Sequence, residues 1–340
     1  MNTWKQILLL LVLALCCLVS AGLHLAVAAA EGGWPDPVAW MQASDPLQQF
    51  SQWLATTPLL QTGVLLLAGL TLPVAGLMTQ TLLRNPLAGP SVLGLSSGAW
   101  VAAVLLPAAA GSSAALITDC WLQALSATGG ALLVLLLLRG ISKRISGSSP
   151  LLVAGMVTAL WISSLGLLLL QMLYPGATPS FLNGLVGAPA PVTWNQFATC
   201  AILNVAGLLT VLFLQKPLNA VLLGEAYARS MGMSVALCRV FAVSAVSLLV
   251  GTTTAFAGPI ALVGLAAPHF ARRLLRTADH RMLVPGSMLT GSTLLLLTDA
   301  AANWPGLTHV LPLNLLLILV FSPVILQILF KHKNIRTYAR

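Results

Sequence analysis

Few residues in this sequence are arranged to carry out chemistry by themselves. No Gly-Lys dipeptide occurs in the 340 residues, so the chain lacks the G-x-x-x-x-G-K-S/T loop with which many ATPases bind phosphate. No H-E-x-x-H motif is present, and the five cysteines are scattered without metal-ligand spacing. We therefore expect a protein that is not an enzyme and that binds no metal or cofactor of its own.

Ionisable side chains inside apolar stretches are the remaining candidates, because gradient-driven transporters use buried carboxylates or histidines as proton or sodium relays. His24 and Asp299 are the two candidates of this kind. A lone histidine in a helix is more often a packed or pore-lining residue than a relay, and Asp299 is close to the end of its stretch. If the chain moves a solute, the sequence favours a partner protein over an ion gradient as the source of energy.

The composition indicates which elements must position these residues. Hydrophobic residues make up 58% of the chain and charged residues 7%, and the mean hydropathy is +0.94. A water-soluble domain carries roughly 25% charged residues to cover its surface. The sequence therefore predicts an all-α polytopic membrane protein with a single transmembrane domain over residues 1–340.

Apolar runs recur along the whole chain. A hydrocarbon core about 30 Å thick requires about 20 apolar residues per helix, and backbone amides in lipid must be bonded within the segment. The first run exceeds the core of a signal peptide, which has about 7–15 residues, so we expect it to be retained as a helix. Glycine and proline interrupt the third and eighth runs. The ten runs lie at 6–29, 57–81, 91–110, 114–138, 150–173, 195–214, 236–257, 260–275, 283–301 and 312–330.

The 16 lysines and arginines fall at alternate ends of these runs. With the N-terminus in the cytoplasm, all of them lie at or near cytoplasmic segments, as the positive-inside rule requires. This predicts an even number of spans with both termini in the cytoplasm. The formal net charge of +9 is then explained by orientation in the lipid membrane, without a nucleic-acid partner.

One short internal similarity suggests a repeat. Gly89 to Leu95 resembles Gly258 to Leu265, roughly half a chain later. The charge pattern places the first segment on the cytoplasmic side and the second on the outer side, as expected for the inverted repeats that build many transporters. Chance similarity is the alternative for so short a match.

Two connections on the predicted cytoplasmic side are distinctive. In the connection at 216–235, the composition favours a short helix that Gly232 would end. This helix would either lie on the membrane surface or dock into another subunit. In the connection at 84–90, two prolines fix the backbone and Asn85 supplies polar groups. The small residues at 94–99 that follow permit close helix packing.

Further positions complete a pattern that spans nearly the whole chain. They are Gln80, Arg84, Pro86, Gly94, Gly98, Gly264, Pro268, His269, Arg272 and Asp299. In order and spacing, these positions and the two connections resemble the iron-siderophore and vitamin B12 (FecCD-type) permease family of ABC importers.

The resemblance implies a type II ABC importer permease of about ten transmembrane helices in the bacterial cytoplasmic (inner) membrane. A second permease chain would complete a central path, two ATPase subunits would bind ATP and Mg²⁺ below it, and a periplasmic or lipid-anchored substrate-binding protein would dock above. By the same likeness, Asn85 and Leu87 would narrow the path on the cytoplasmic side. The helix that couples to the ATPase would include Glu225, Ala226, Ala228, Arg229, Ser230 and Gly232.

Four stretches on the predicted outer face depart from the family pattern. In the family, outer arginines pair with carboxylates of the binding protein, whereas this chain has no basic residue on that face. We therefore expect docking to be polar or apolar, weaker, or dominated by a different partner permease. The four stretches are Thr56–Leu59, Phe181–Gly184, Asn303 and Val310–Asn314.

The resemblance thus implies a permease subunit that forms the path for a metal chelate, in the first place an iron-siderophore, and that couples to a separate ATPase. A gradient-driven secondary transporter is the alternative, and a structural or assembly protein of the membrane is the third. The sequence leaves the choice of chelate open, as well as the choice between a homodimer and a heterodimer.

Overall fold

A computed structural model of the chain describes residues 3–32, 59–109, 119–142, 148–173, 192–305 and 311–337. Every regular element in these ranges is an α-helix. In chain order they are α1 (Thr3–Gly32), α2 (Leu59–Leu82), α3 (Leu95–Ala109), α4 (Cys120–Ser142), α5 (Ser148–Leu173), α6 (Trp194–Leu222), α7 (Glu225–Ser230), α8 (Val235–Ala257), α9 (Val263–Leu275), α10 (His280–Ala302) and α11 (Leu313–Thr337).

The predicted helical runs are confirmed, because each of the ten coincides with one of these helices and α7 is the short helix expected in the connection at 216–235. Within the described ranges, six helices are long and apolar enough to cross a membrane: α1, α2, α4, α5, α6 and α8. With 15 and 13 residues, α3 and α9 are shorter. At 1.5 Å per residue they reach only about 22 Å and about 20 Å.

One end of the bundle gathers the starts of α1, α8 and α10 and the ends of α2, α6 and α9. There Gln6 Nε2 donates to the Leu275 carbonyl at 3.2 Å, and Thr81 Oγ1 lies 3.1 Å from His280 Nε2. Because Arg84, Arg229 and other cationic residues lie at these helix ends, we call this the basic end. The opposite end contains the far ends of α1 and α10.

The two short helices begin where Gly-Pro pairs, Gly89-Pro90 and Gly258-Pro259, interrupt the chain. These breaks contact each other, since Ser91 Oγ accepts from the Leu262 amide at 3.3 Å. They therefore lie at one depth in the bundle, which corrects the expectation that they occupy opposite faces. From this level α9 runs to the basic end and α3 runs the other way, the arrangement that an inverted repeat produces.

Helix α2 lies at the centre of the bundle. In its apolar stretch of 18 residues, 78% is buried, whereas only 17% is buried in the corresponding stretches of α1 and α5. Glycines permit its close contacts, because a methyl group at Gly76 would overlap the Gly264 carbonyl and one at Gly291 would overlap Pro73. Small residues at such positions let helix backbones approach in a membrane. The break before α9 is thereby fixed against the middle of α2.

Candidate functional site

The short helix α7 lies at the basic end between two glycines with positive φ, Gly224 (123°) and Gly232 (78°). Its end is closed by two backbone hydrogen bonds, from Met233 to the Ala228 carbonyl at 3.2 Å and from Gly232 to the Arg229 carbonyl at 3.0 Å. This is the Schellman arrangement, in which glycine is preferred at the left-handed position. The prediction that Gly232 ends this helix is confirmed.

One side of α7 is exposed and the other packs on the bundle. Of the predicted coupling residues, Ala226, Arg229, Ser230 and Gly232 are exposed, and Ala228 is fully buried. The sequence did not single out Tyr227 and Met231, which are 47% and 62% exposed. Aromatic side chains, methionine and arginine are enriched at protein interfaces, so this side of α7 is suited to a protein contact.

Glu225, at the start of α7, binds three arginines. Arg84 Nη2 donates to its Oε1 atom at 2.9 Å, and Arg239 donates to the same oxygen. Arg229 Nη2 lies 3.6 Å from Oε2. Because Arg84 follows α2 and Arg239 belongs to α8, this carboxylate connects α7 to two other elements. Glu225 therefore anchors α7 to the bundle.

The loop at 84–90 begins with a residue in an unusual conformation. Arg84 has a φ of 48°, and it occupies the left-handed position of a second Schellman arrangement, closed by the Asn85 amide and the Gln80 carbonyl at 3.0 Å. An L-residue other than glycine gives up about 1–2 kcal/mol in this conformation. The ion pair with Glu225 occurs at this strained position.

The next residues of the loop form a compact turn. The Asn85 side chain is buried, and its Oδ1 accepts from the Leu87 amide at 2.9 Å. His269 Nε2, from α9, donates to the Pro86 carbonyl at 2.7 Å. Leu87 is half-buried. The 84–90 loop is therefore held to α7 by Arg84 and to α9 by His269, and Asn85 shapes it from within.

A second polar cluster lies at the basic end. Asn219 Oδ1 accepts from His280 Nδ1 at 2.6 Å, and Asn219 Nδ2 donates to Asp279. The Thr81 hydroxyl, from α2, lies within hydrogen-bonding distance of the other ring nitrogen of His280, Nε2. This cluster joins α2, α6 and α10. Asn219 is far from its partners in sequence and belongs to no local motif that could have indicated it.

The two candidate relay residues meet at the opposite end of the bundle. His24 Nε2 lies 2.7 Å from Asp299 Oδ2, and the Thr62 hydroxyl lies 2.9 Å from His24 Nδ1. Both side chains are buried, and Asn303 Nδ2 donates to the same carboxylate oxygen at 3.1 Å. The arrangement joins α1, α2 and α10 at one point.

Among the remaining motif positions, the glycines and the proline serve packing. Gly94 has a φ of 81°, Gly98 lies against Gly130, and Pro268 is buried within α9. Gln80 is buried, and neither polar atom of its side chain has a hydrogen-bond partner in the described part of the chain. Arg272 is partly buried near the end of α9.

Gly94, Ser96 and Gly98 have the G-x-S-x-G spacing of a hydrolase nucleophile turn, which requires a base beside the serine. Ser96 is buried near the start of α3, and its hydroxyl has no hydrogen-bond partner among the described residues. The spacing is therefore explained by close helix packing, with Gly94 and Gly98 against α5 and α4.

Three of the four divergent outer stretches can be described at least in part. Asn314 Nδ2 donates to the Pro259 carbonyl at 2.7 Å, and its Oδ1 accepts from the Ala261 amide at 3.0 Å. The Asn314 side chain thus forms hydrogen bonds with backbone groups at the break before α9. The sequence did not indicate this role inside the fold. Asn303 binds Asp299, as described above. Most of 56–59, all of 181–184 and Val310 lie outside the described residues.

The comparisons with known proteins agree with this architecture. The sequence matches the model of the FecCD transport family over residues 8–331. The chain belongs to this family. It is 32% identical over 323 residues to the vitamin B12 import system permease protein BtuC of Escherichia coli O17:K52:H18 (strain UMN026 / ExPEC), with 94% of each chain covered. It is also 32% identical over 322 residues to the BtuC protein of Salmonella typhi, with the same coverage.

The fold matches a solved structure described as a metal-chelate type ABC transporter in an inward-facing conformation. The TM-score is 0.73 at 24% identity, and the match covers 96% of this chain and 99% of the other. The chain is therefore an all-helical transport permease with the type II ABC importer architecture, as predicted. Membership of this permease family also places the chain in a bacterial inner membrane.

Proposed function

We propose that this chain is the membrane-spanning permease subunit of an ABC importer and that it takes its energy from a separate ATPase bound at the basic end. The observation that carries the proposal is the contact between α7 and the 84–90 loop. The exposed side of α7 offers a docking surface, and Glu225 connects that surface to the loop beside the proposed path.

The cargo we propose is a metal chelate. By their names, the relatives reported above belong to vitamin B12 import systems. Vitamin B12 is a cobalt chelate. An iron-siderophore, the substrate expected from the sequence, belongs to the same chemical class. Vitamin B12 and a ferric siderophore are therefore the first two substrates to test.

A second permease chain would complete the path. Val153, Leu160, Trp161 and Met172 of α5 are large apolar residues that lie exposed along this one chain. Surfaces of this kind must face lipid or another apolar protein surface. We propose that part of this surface lines the contact with the second chain, and that a substrate-binding protein docks at the end opposite α7.

In this assembly ATP and Mg²⁺ bind to the ATPase, and the permease responds to its movement. Closure of the ATPase pair would displace α7 through its exposed side chains, including Tyr227 and Arg229. The 84–90 loop lies beside α7 at the same end, and Leu87 would face the path there. The basic end would face the cytoplasm, in agreement with the positive-inside rule.

Affinity purification of the tagged chain in mild detergent tests this function. A P-loop ATPase at one copy per permease chain, found by mass spectrometry, is the expected result. Uptake of vitamin B12 or iron-loaded ferrichrome should then continue when an uncoupler collapses the proton gradient. A chain that purifies without an ATPase in several detergents, and whose uptake stops with the gradient, would instead be a secondary transporter.

A further inference from the structure

Glu225 brings together side chains from separate parts of the chain. Its Oε1 atom accepts from Arg84, 141 residues earlier, as well as from Arg239. The exposed side of α7 carries Arg229, whose guanidinium lies beside the other carboxylate oxygen. One carboxyl group therefore touches the surface proposed to meet the ATPase and the first residue of the 84–90 loop.

Arg84 has a left-handed backbone conformation that glycine would adopt with less strain. The ends of α2 and α7 are closed by the same pair of backbone hydrogen bonds, and α7 has Gly232 at the left-handed position. At the end of α2 that position is held by an arginine. Its guanidinium is the group that glycine could not supply, and it forms an ion pair with Glu225.

The turn after Arg84 is short and internally bonded. Asn85 Oδ1 accepts from the Leu87 amide at 2.9 Å, the Asn85 carbonyl accepts from Ala88 at 3.1 Å, and the Leu87 carbonyl accepts from Gly89 at 2.9 Å. These three bonds tie residues 85–89 into one unit. Arg84 precedes Asn85 directly, so a displacement applied at Arg84 would act on this unit and thus on Leu87.

We infer that the Arg84–Glu225 ion pair is the connection through which α7 moves the 84–90 loop, and that both side chains are positioning residues of the transport cycle. The inference rests on the proposed function, because the ATPase supplies the movement of α7. The Arg84 and Glu225 side chains are 59% and 26% exposed, and solvent-exposed pairs contribute little to stability. Loss of the pair should therefore impair coupling and leave folding intact.

Arg84→Gly separates these two effects, because it removes the ion pair and also relieves the left-handed backbone. In proteoliposomes with the full importer, the variant should retain its melting temperature, its bound ATPase and its ATP hydrolysis. Its uptake of vitamin B12 or iron-loaded ferrichrome per ATP hydrolysed should fall by about fivefold or more, the lower range of measured coupling effects. A purely structural role for Arg84 predicts instead that stability and uptake change together.

Arg276→Gly is the matched control. Arg276 also has a φ of 48°, lies exposed just after α9 at the basic end, and forms no ion pair with any described residue. The same substitution there gives the same change in backbone freedom and in charge, and uptake per ATP should stay at the wild-type level. If Arg84→Gly behaves like Arg276→Gly in this assay, the inference is wrong even though the proposed function stands.

A direct readout of loop movement needs no substrate. In a background without native cysteines, Leu87→Cys should react with a thiol reagent at different rates in the nucleotide-free importer and after trapping with ATP and vanadate. Adding Arg84→Gly should abolish this difference, whereas adding Arg276→Gly should preserve it. A difference that persists with Arg84→Gly would overturn the connection. If the wild-type chain binds no ATPase, the proposed function fails, and the inference fails with it.

Discussion

At the scale of single residues, the structure separates side chains that look alike in the sequence. Asp299 and Glu225 are both carboxylates in a chain with seven acidic residues, yet Asp299 is buried against His24 while Glu225 is partly exposed among three arginines. The first arrangement connects α1 to α10. The second connects a surface helix to a loop.

Asp299 provides the first prediction. Asp299→Asn keeps a hydrogen-bond acceptor for His24, so uptake should be preserved and should show no new dependence on pH. Asp299→Leu leaves His24 without that partner and should lower the free energy of unfolding by about 1–2 kcal/mol. Thermal unfolding in detergent and uptake at several pH values measure these effects. Abolished, pH-dependent uptake in Asp299→Asn would restore a proton-relay role.

Arg229 provides the second prediction, at the proposed ATPase contact. Arg229→Glu reverses a charge on the exposed side of α7, and the ATPase that co-purifies should fall by about tenfold, which corresponds to about 1.4 kcal/mol of binding energy. Membrane insertion should be unaffected. Arg139→Glu, the same charge reversal on the exposed end of α4, is the control and should retain the ATPase. Equal ATPase binding in both variants would contradict the role of α7.

At the scale of the elements, the packing of α2 depends on backbone contact. Its central position places Gly69 and Gly76 against α10 and α9, where no side chain fits between the helices. Sequence patterns predicted small residues for close packing at 94–99 but gave no reason to choose Gly76. That choice depends on where the break before α9 lies against α2, which is a tertiary contact.

Gly76→Ala should therefore be damaging although alanine favours helices. The added methyl would overlap the Gly264 carbonyl, and overpacking of this kind costs about 1–3 kcal/mol. Gly129→Ala in α4 is the matched control, because nothing lies within 4 Å of the position of its added methyl. Fluorescence-detected size-exclusion chromatography after a heating series should show a lower melting temperature for Gly76→Ala only.

At the scale of the whole molecule, the described lysines and arginines gather at the end that holds α7 and the 84–90 loop. The positive-inside rule places such an end in the cytoplasm. The described helices run in both directions, so their arrangement alone does not show which end faces the cytoplasm. The orientation is therefore a prediction that the sequence makes and an experiment must test.

Sided thiol labelling tests this orientation in a background without native cysteines. Ser230→Cys, on the exposed side of α7, should react with a membrane-impermeant reagent only from the cytoplasmic side. Leu311→Cys, at the opposite end, should react only from outside. Labelling of both positions from one side would contradict the topology, and exchanged sides would reverse it.

The sequence by itself determined the helices and the family to which the chain belongs. Its low charge and long apolar runs leave the chain no alternative to membrane helices, because unpaired backbone groups are too costly in lipid. The short helix at 225–230, its end at Gly232 and the family pattern were also readable, since each depends on neighbouring residues or on their order along the chain.

Only the tertiary structure decided which distant residues meet. The pairs Arg84–Glu225, Pro86–His269 and His24–Asp299 join residues 141 or more positions apart. It also placed the two Gly-Pro breaks at one depth, which the charge pattern had separated. Local composition fixes how each segment folds, but contacts between segments depend on the packing of the whole bundle, and no local pattern encodes that packing.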